Sequence, residues 1–214
     1  MSSLQPIASK PLKKASAAAV RALPFQGDQA ALVSAVLKGH PGAAAALHDR
    51  YARRMHGLLY RILGPDAELE DTLHEAFVRA LESLHNLRDP TALDSWMMGV
   101  AVRTARTLLQ RRSRRSWLKV MPSEELPEPA ASLPDPTELE ALRSLYKVLD
   151  RLGVDDRMAL VLRFATGMTL TETAQACGVS LATIKRRLSR AEKALLRWAE
   201  TEPALAGWLE EVES

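Results

Sequence analysis

The sequence predicts an all-α fold in which two small helical domains are joined by an acidic, proline-rich linker. Apolar residues recur at three- and four-residue steps over most of the chain, which is typical of amphipathic helices. Alternating runs of Val, Ile, Thr or Tyr, which would indicate strands, are almost absent. Residues 120–138 hold five prolines and five acidic residues without helical period, and this composition indicates an extended linker.

Composition restricts the class of protein and the compartment. The chain has 214 residues, 47% of them apolar, and a formal net charge of +3, so it can bury a core and is not generally disordered. Its single cysteine, Cys177, cannot form an internal disulfide, which favours a reducing compartment. No apolar run approaches the roughly 20 residues that span a bilayer, and the start lacks the apolar region of a signal peptide. We therefore expect a cytoplasmic protein without membrane insertion.

These patterns divide the chain into five segments. We expect a flexible basic tail over 1–27, a helical domain over 28–115, the linker over 116–138, a second helical domain over 139–197 and an acidic tail over 198–214.

Capping residues predict four helices in the first domain. Asp28 is the expected N-cap of the first helix, and Pro41 opens a second helix that ends at Gly64. Asp66 is the expected N-cap of a third helix, and Trp96 begins a fourth.

The third predicted helix has an apolar stripe and an acidic outer face. The stripe consists of Leu69, Leu73, Ala76, Phe77, Ala80, Leu81 and Leu84. The acidic side chains, with His74 among them, fall within an arc of about 120–140° on an ideal helix; they are Glu70, Asp71, Glu75 and Glu82. This face is either solvated surface or a binding surface for a partner.

The fourth predicted helix ends in dense positive charge. Between Arg103 and Lys119 there are seven basic residues and no acidic one. Its outward face carries Arg103, Arg106, Gln110 and Arg114, and further arginines surround the side that would be buried. We therefore expect the helix to leave the core near Gln110, where its arginines meet water or a polyanion such as a phosphate backbone rather than their own domain.

The second domain contains a predicted helix-turn-helix over residues 167–197. Thr169 and Glu172 form a capping box, Gly178 supplies a left-handed turn residue, and Ser180 caps the second helix. Its expected buried stripe is Leu181, Ile184, Leu188, Ala191 and Leu195. The opposite face is rich in arginine and hydroxyl groups, which suits a helix that reads DNA, although an ordinary helical hairpin is the alternative. Before this motif, Asp155 is the expected N-cap of a helix that runs through Phe164.

The sequence predicts no catalytic, metal or cofactor site. No pair of histidines has a metal-ligand spacing, and His74 beside Glu70 and Glu75 lacks the strong N or S ligands of a zinc site. A glycine-rich phosphate loop and a nucleophile motif are also missing. We expect a protein that is not an enzyme.

Three segments resemble bacterial RNA polymerase sigma factors of the extracytoplasmic-function group of the sigma-70 family. ELEDTLHEAFVRAL is similar to the family's AEDLVQEVFLRAW, and WMMGVAVRTARTLLQRRSRR to its WLYRIARNLALDHLRRR, both in region two. LATIKRRLSRAE is similar to VGTVKSRLHRAR in region four. The resemblance covers about residues 28–115 and 139–197.

The resemblance implies a transcription initiation factor with three functional surfaces. Core polymerase would be bound by Glu70, Asp71, Glu75 and Phe77. Melted minus-ten DNA would be bound by Asn86, Arg88, Trp96, Arg103, Arg106, Gln110, Arg111 and Arg114. Minus-thirty-five DNA would be read by Thr183, Lys185, Arg186, Ser189 and Arg190. The implied partners are the β′ and β subunits of core polymerase, promoter DNA and an anti-sigma factor.

Two other functions compete with this interpretation. A stand-alone helix-turn-helix regulator would bind closed duplex without polymerase and would leave the acidic third helix without a role. A sigma-like decoy that only binds an anti-sigma protein would lose its DNA contacts, and the dense arginines argue against it.

Overall fold

A computed structural model of the protein describes residues 27–116 and 136–199. In these ranges there are eight α-helices and no strand, which confirms the all-α prediction. The helices are α1 (Gln29–Leu37), α2 (Ala43–Leu63), α3 (Leu69–Ser83), α4 (Leu93–Ser116), α5 (Pro136–Arg151), α6 (Val154–Leu160), α7 (Leu170–Cys177) and α8 (Leu181–Ala199). Most of the predicted tails over 1–27 and 198–214 and of the predicted linker over 116–138 lies outside the described residues. The expected bounds are wrong where the structure describes them, because residue 116 ends α4, residues 136–138 form the first turn of α5, and residues 198–199 continue α8.

The N-terminal helices, α1–α4, surround one apolar core. Helices α2, α3 and α4 pack against one another, and α1 lies against α2. Tyr51 is the bulkiest fully buried side chain of this core, and its hydroxyl donates a hydrogen bond to Asp94 at the start of α4. Burial raises the pKa of Tyr51 to about 12, and the Tyr51 hydroxyl lowers the pKa of Asp94. The single polar group of this tyrosine is therefore satisfied inside the core.

Two predicted boundaries of the N-terminal helices are confirmed by their caps. Asp28 accepts a hydrogen bond from the Ala31 N–H at 2.7 Å and begins α1. Helix α2 ends at Gly64, whose φ of 87° lies in the left-handed region that favours glycine.

Two other expected boundaries of the N-terminal helices are wrong. Helix α4 begins at Leu93 rather than Trp96, because a 3₁₀ turn capped by Asp89 leads directly into it. Asp66 is not the N-cap of α3, which begins after Glu68; its carboxylate is bound instead by Arg112.

The C-terminal helices, α5–α8, contain the helix-turn-helix in its predicted form. The Thr169 hydroxyl accepts from the Glu172 N–H at 3.2 Å, and the Glu172 carboxylate accepts from the Thr169 N–H at 2.8 Å, which completes the capping box. Gly178 turns the chain at a φ of 66°, and the Ser180 hydroxyl accepts from the Thr183 N–H at 3.3 Å.

The structure differs from the expectations for the C-terminal helices at both ends of α6 and at the start of α8. The N-cap of α6 is Gly153, and the regular helix ends at Leu160, where a π-helical turn over Val161–Ala165 takes over. Asp155 instead lies in the first turn, and its carboxylate pairs with arginines. Leu181 is 42% exposed because it lies in the first turn of α8, so the buried stripe starts at Ile184.

The N-terminal and C-terminal helices share a continuous apolar core. Helix α4 contacts both α6 and α7, and α2 contacts the π-helical turn. Met158 and Leu162 from the C-terminal helices belong to the same buried cluster as Leu59, Ile62 and Val102. Helix α4 is therefore covered on two sides, by its own bundle and by the C-terminal helices.

Candidate nucleic-acid interface

The outer face of α8 presents free polar and basic side chains. Lys185, Arg186 and Ser189 are exposed and have no hydrogen bond or ion pair with any described residue. Thr183 is half-buried, with its hydroxyl 3.0 Å from the Ser180 hydroxyl. This part of the predicted reading surface is open to a ligand.

Two further arginines of α8, Arg187 and Arg190, are engaged by acidic residues of α6. Arg190, 61% exposed, donates to Asp156 through Nε at 2.5 Å and Nη2 at 2.6 Å. Arg187 is only 13% exposed and donates to Asp155 through Nη2 at 2.6 Å. Arg190 can therefore exchange its carboxylate for another anion at the surface, whereas Arg187 is a structural residue.

The basic face of α4 is partly covered by the C-terminal helices. Arg103, Arg111 and Arg114 are exposed. Arg106 is half-buried, with Nη2 2.7 Å from Oδ1 of Asp155, and Gln110 lines a cleft with residues 153–156 and Arg190. The structure thus leaves three of the four predicted minus-ten arginines of α4 accessible and places Arg106 and Gln110 against α6.

The expectation that the arginines at the end of α4 avoid their own domain is wrong for Arg112, and Arg111 also lies 3.8 Å from Glu75. The Arg112 Nη2 lies 2.8 Å from Oδ1 of Asp66, and its Nε lies 3.0 Å from Oε2 of Glu68. Partial burial favours the neutral form of Asp66, but the hydrogen bonds from Arg112 and the Glu68 N–H outweigh it and lower the pKa of Asp66. Arg112 therefore fastens the end of α4 to the segment before α3.

The loop before α4 holds the other predicted minus-ten residues. Asn86 and Arg88 are exposed, while Trp96 is half-buried against the core. Asp89 fixes the turn between them by accepting from the Thr91 N–H at 2.9 Å and the Thr91 hydroxyl at 2.7 Å. The loop is thus a turn fixed by Asp89, with two exposed polar side chains that have no partner among the described residues.

The outer face of α3 has an apolar centre inside its acidic arc. Val78 and Leu81 are each 39% exposed, although Leu81 was expected in the buried stripe. Asp71 is exposed with no ion pair to any described residue, Glu70 faces His56 at 3.3 Å, and Glu75 pairs with Arg79 at 2.6 Å. The helical period that places the acidic side chains on one arc also places Val78 and Leu81 within that arc. The sequence therefore contained the signal for an exposed apolar centre, and the prediction that Leu81 is buried overlooked it.

Phe77 does not belong to that outer face. It is buried, and its ring centroid lies 4.6 Å from that of His48 on α2. Phe77 therefore positions α3 on the bundle, which agrees with a supporting role and leaves contact with a partner to its neighbours.

The described residues contain no group of three or more His, Cys, Asp or Glu side chains arranged to hold a metal ion. None of the helices in the described ranges is both long and apolar enough to cross a membrane.

A basic helix-turn-helix, a second basic helix and an acid-rimmed apolar helix face together define a DNA-binding protein with a protein-docking surface. Family models described as sigma-70 region 2 and sigma-70 region 4 match residues 47–115 and 142–195. The chain belongs to the sigma-70 family of RNA polymerase sigma factors, in its extracytoplasmic-function group. This family consists of non-catalytic transcription initiation factors that bind core RNA polymerase and direct it to promoters.

Individual relatives agree with this assignment. The chain is 30% identical to the ECF RNA polymerase sigma-E factor of Escherichia coli over 173 residues, which covers 77% of this chain and 90% of that protein. It is 29% identical over 178 residues to the RNA polymerase sigma-H factor of Pseudomonas aeruginosa, with the same coverage.

Solved structures with the same fold are less similar in sequence. CnrH, solved in complex with the cytosolic domain of CnrY, superposes with a TM-score of 0.55 at 20% identity, covering 82% of this chain and 99% of that one. The sigma factor RpoE of Bartonella quintana, solved with the anti-sigma factor NepR, gives 0.55 at 20% identity, covering 73% and 96%.

Proposed function

We propose that three surfaces of this chain act together in promoter opening. The outer face of α3 docks on the β′ subunit of core polymerase, α4 and the loop before it hold the melted minus-ten strand, and α8 reads the minus-thirty-five duplex. The observation that carries this proposal is the combination of an acid-rimmed apolar face with two basic helices in one chain.

The α3 face has the chemistry of a protein-docking surface. Exposed Val78 and Leu81 provide an apolar centre, and Glu70 and Asp71 provide an acidic rim. Interfaces of this design combine apolar contact at the centre with polar specificity at the rim. A stand-alone regulator would have no use for such a face, which disfavours that alternative.

The α8 face has the chemistry of a major-groove reader. Arg186 is exposed and has no partner among the described residues, and arginine can donate two hydrogen bonds to O6 and N7 of guanine. Lys185 and Ser189 supply phosphate and base-edge contacts on the same face. A decoy that binds only an anti-sigma protein would not need these free donors.

The α4 surface has the chemistry of a single-strand site. Arg103, Arg111 and Arg114 are exposed along one stretch of helix and can neutralise phosphates. Asn86 and Arg88 lie in the loop before α4, where an unstacked base could be bound.

We further propose that an anti-sigma factor regulates this chain, because a protein of the same fold, RpoE of Bartonella quintana, was solved in complex with the anti-sigma factor NepR. This chain would act in the cytoplasm, where core polymerase meets the chromosome. It would contribute no catalytic group to the polymerase.

Run-off transcription with purified core polymerase tests the proposed function. On a library of promoter fragments, core plus this protein should give discrete transcripts and permanganate-reactive thymines near the start site, whereas either component alone should give neither. A specific duplex footprint by the protein alone, without added melting by core, would instead support the stand-alone regulator.

A further inference from the structure

We propose that Gly99 is a positioning residue of the α4 single-strand site, and that it sets the place at which the guanidinium of Arg103 holds one backbone phosphate of the melted strand. The part that this phosphate contact plays in promoter opening rests on the proposed function. The placement of the guanidinium by Gly99 follows from the contacts within α4 alone.

The guanidinium of Arg103 lies across the helix over Gly99. The three atoms nearest to a Cβ at position 99 all belong to this arginine, with Nη1 at 3.0 Å, Cζ at 3.8 Å and Nη2 at 3.9 Å. Helical side chains lean toward the N-terminus and meet the residue one turn earlier. Because 3.0 Å is shorter than an optimal contact of roughly 3.5–4.0 Å, any side chain at position 99 would displace the guanidinium.

Arg103 has no anion of its own among the described residues. It is exposed and makes no hydrogen bond or ion pair with any of them. The sole acidic residue in the sequence of α4, Asp94, lies in the first turn and is bound by Tyr51 and Arg54. Partial burial of the guanidinium against the helix lowers the pKa of Arg103, because no carboxylate offsets the lost hydration. An external anion would supply the missing partner.

The neighbours of Arg103 on this face indicate that the anion is a phosphate rather than a base edge. The Thr107 hydroxyl donates to the Arg103 carbonyl at 2.9 Å, and Arg106 pairs with Asp155 at 2.7 Å. The next exposed arginine, Arg111, lies roughly 12 Å farther along the helix. A single cation whose polar neighbours are already engaged can bind charge, but it has no second group with which to distinguish one base from another.

Gly99 and Arg103 also exchange residue types with the sigma-factor segment that α4 resembles. In WLYRIARNLALDHLRRR, an arginine is aligned with Gly99 and an asparagine with Arg103. In this chain the arginine stands one turn later, and its guanidinium reaches back over the position from which the other arginine would extend. Both arrangements place one cation and one short side chain on the same turn. Exchanging the two residues therefore tests whether this turn requires one positive charge.

Gly99→Gln and Gly57→Gln form a matched pair for this test in the full-length protein. Both place a neutral, helix-favouring side chain at a helical glycine, but a Cβ at position 57 of α2 meets no atom within 4 Å. We expect Gly99→Gln to lower promoter opening by core, measured with permanganate, by about tenfold. Core affinity and helical circular dichroism should not change, and Gly57→Gln should match the wild type throughout.

Arg103→Asn should lower opening by the same factor, and it decides if Gly99→Gln loses helicity, because Arg103 is an exposed residue. The double variant Gly99→Arg with Arg103→Asn should recover opening to within about threefold of the wild type, a coupling that a double-mutant cycle measures. Wild-type opening by both single variants, or a double variant as weak as Arg103→Asn, would overturn the proposal. A loss that depends on the minus-ten base sequence would also overturn it, in favour of base reading.

Binding of single-stranded oligothymidylate by the free protein separates this proposal from the proposed function. One lost phosphate contact should reduce the slope of log K against log salt concentration by about 0.7, so Gly99→Gln and Arg103→Asn should both show this reduction and Gly57→Gln should not. If the wild type with core opens no promoter but the slopes change as expected, the phosphate site stands and the proposed function fails. If the wild type opens promoters and the slopes are equal, the proposed function stands and the phosphate site fails.

Discussion

At the scale of single residues, the arginines of α8 differ in what already binds them. Arg187 is bound by Asp155 inside the protein, Arg190 is held by Asp156 at the surface, and Arg186 has no bound partner among the described residues. An arginine that must first break its ion pair with a carboxylate gains less binding free energy from a DNA base, because one interaction replaces the other instead of adding to it.

Arg186→Ala should therefore cost more promoter selectivity than Arg190→Ala. A bidentate arginine–guanine contact contributes about 1–3 kcal/mol of discrimination, so we expect selectivity to fall by about that amount for Arg186→Ala and by less for Arg190→Ala. Competition between promoter and unrelated duplexes for the reconstituted holoenzyme measures the effect, with Lys193→Ala as a control of equal charge on the same helix. Normal selectivity in both arginine variants would contradict the assignment of α8 as the reading helix.

The Asp66–Arg112 pair should make stability depend on pH in a predictable direction. Because the pKa of Asp66 is lowered in the fold, its stabilisation is present above the unfolded pKa of about 3.9 and is lost as the pH falls through the native pKa. Asp66→Asn should lower the free energy of unfolding by about 1–3 kcal/mol at pH 7, and the difference from wild type should shrink below about pH 4.

Urea denaturation at a series of pH values measures this difference. Asp49→Asn is a suitable control because Asp49 is exposed and pairs only with a histidine, His48, among the described residues. A difference between Asp66→Asn and wild type that stays constant on acidification would show that the carboxylate charge is not what fastens α4.

At the same scale, local interactions were predictable and distant ones were not. The capping box of Thr169 and Glu172 was predicted correctly because both partners lie within one turn. Arg112 was expected to face solvent because its partners, Asp66 and Glu68, lie more than 40 positions earlier in the sequence, at the start of another helix. Helical period shows which way a side chain points, but not what lies opposite it.

At the scale of elements, α3 shows how one helix can serve two surfaces. Its inner stripe, which includes Leu73 and Phe77, holds the bundle, while Asp71, Val78 and Leu81 remain available for a partner. Glu75 is less independent, since it pairs with Arg79 and lies 3.8 Å from Arg111 of α4. Asp71 is therefore the cleaner probe of docking.

Reversing the charge of Asp71 should weaken core binding without changing the fold. We expect Asp71→Lys to raise the dissociation constant for core by about tenfold, since a like-charged or unpaired rim residue opposes association. The double variant with Glu75→Lys should bind more weakly still. Fluorescence titration with core measures the affinity, Asp49→Lys controls for net charge, and circular dichroism controls for helicity. Wild-type affinity in the double variant would exclude this face as the docking surface.

Element boundaries were predictable where a cap was unambiguous. Asp28, Gly64 and Gly178 mark observed helix ends. Asp155 was misassigned because an aspartate at a helix start has the same sequence pattern whether it caps the helix or binds an arginine from elsewhere. The π-helical turn after Leu160 leaves no comparable pattern in the sequence.

At the scale of the whole molecule, the helical class and both family regions could be predicted, whereas the packing between the two groups of helices could not. A second buried stripe of α4 consists of Val102, Ala105 and Leu109, which are small or medium apolar residues beside the arginines. Such residues also occur on solvent-facing sides of helices. Only the position of the C-terminal helices shows that they are covered.

Arg157 of α6 and Tyr146 of α5 donate hydrogen bonds to main-chain carbonyls of α2 rather than to its side chains. A carbonyl is present whatever residue occupies the position, so changes in side-chain chemistry in the last turn of α2 would not by themselves remove these bonds. The requirement lies instead in the shape of the chain there: a helix that stops at a glycine small enough to pass under a tyrosine ring. Consider a chimera that joins these C-terminal helices to the N-terminal half of another protein. It should keep the hydrogen bonds from Arg157 and Tyr146 if the helix equivalent to α2 also ends at a glycine in this conformation, even when the two N-terminal halves have little sequence in common.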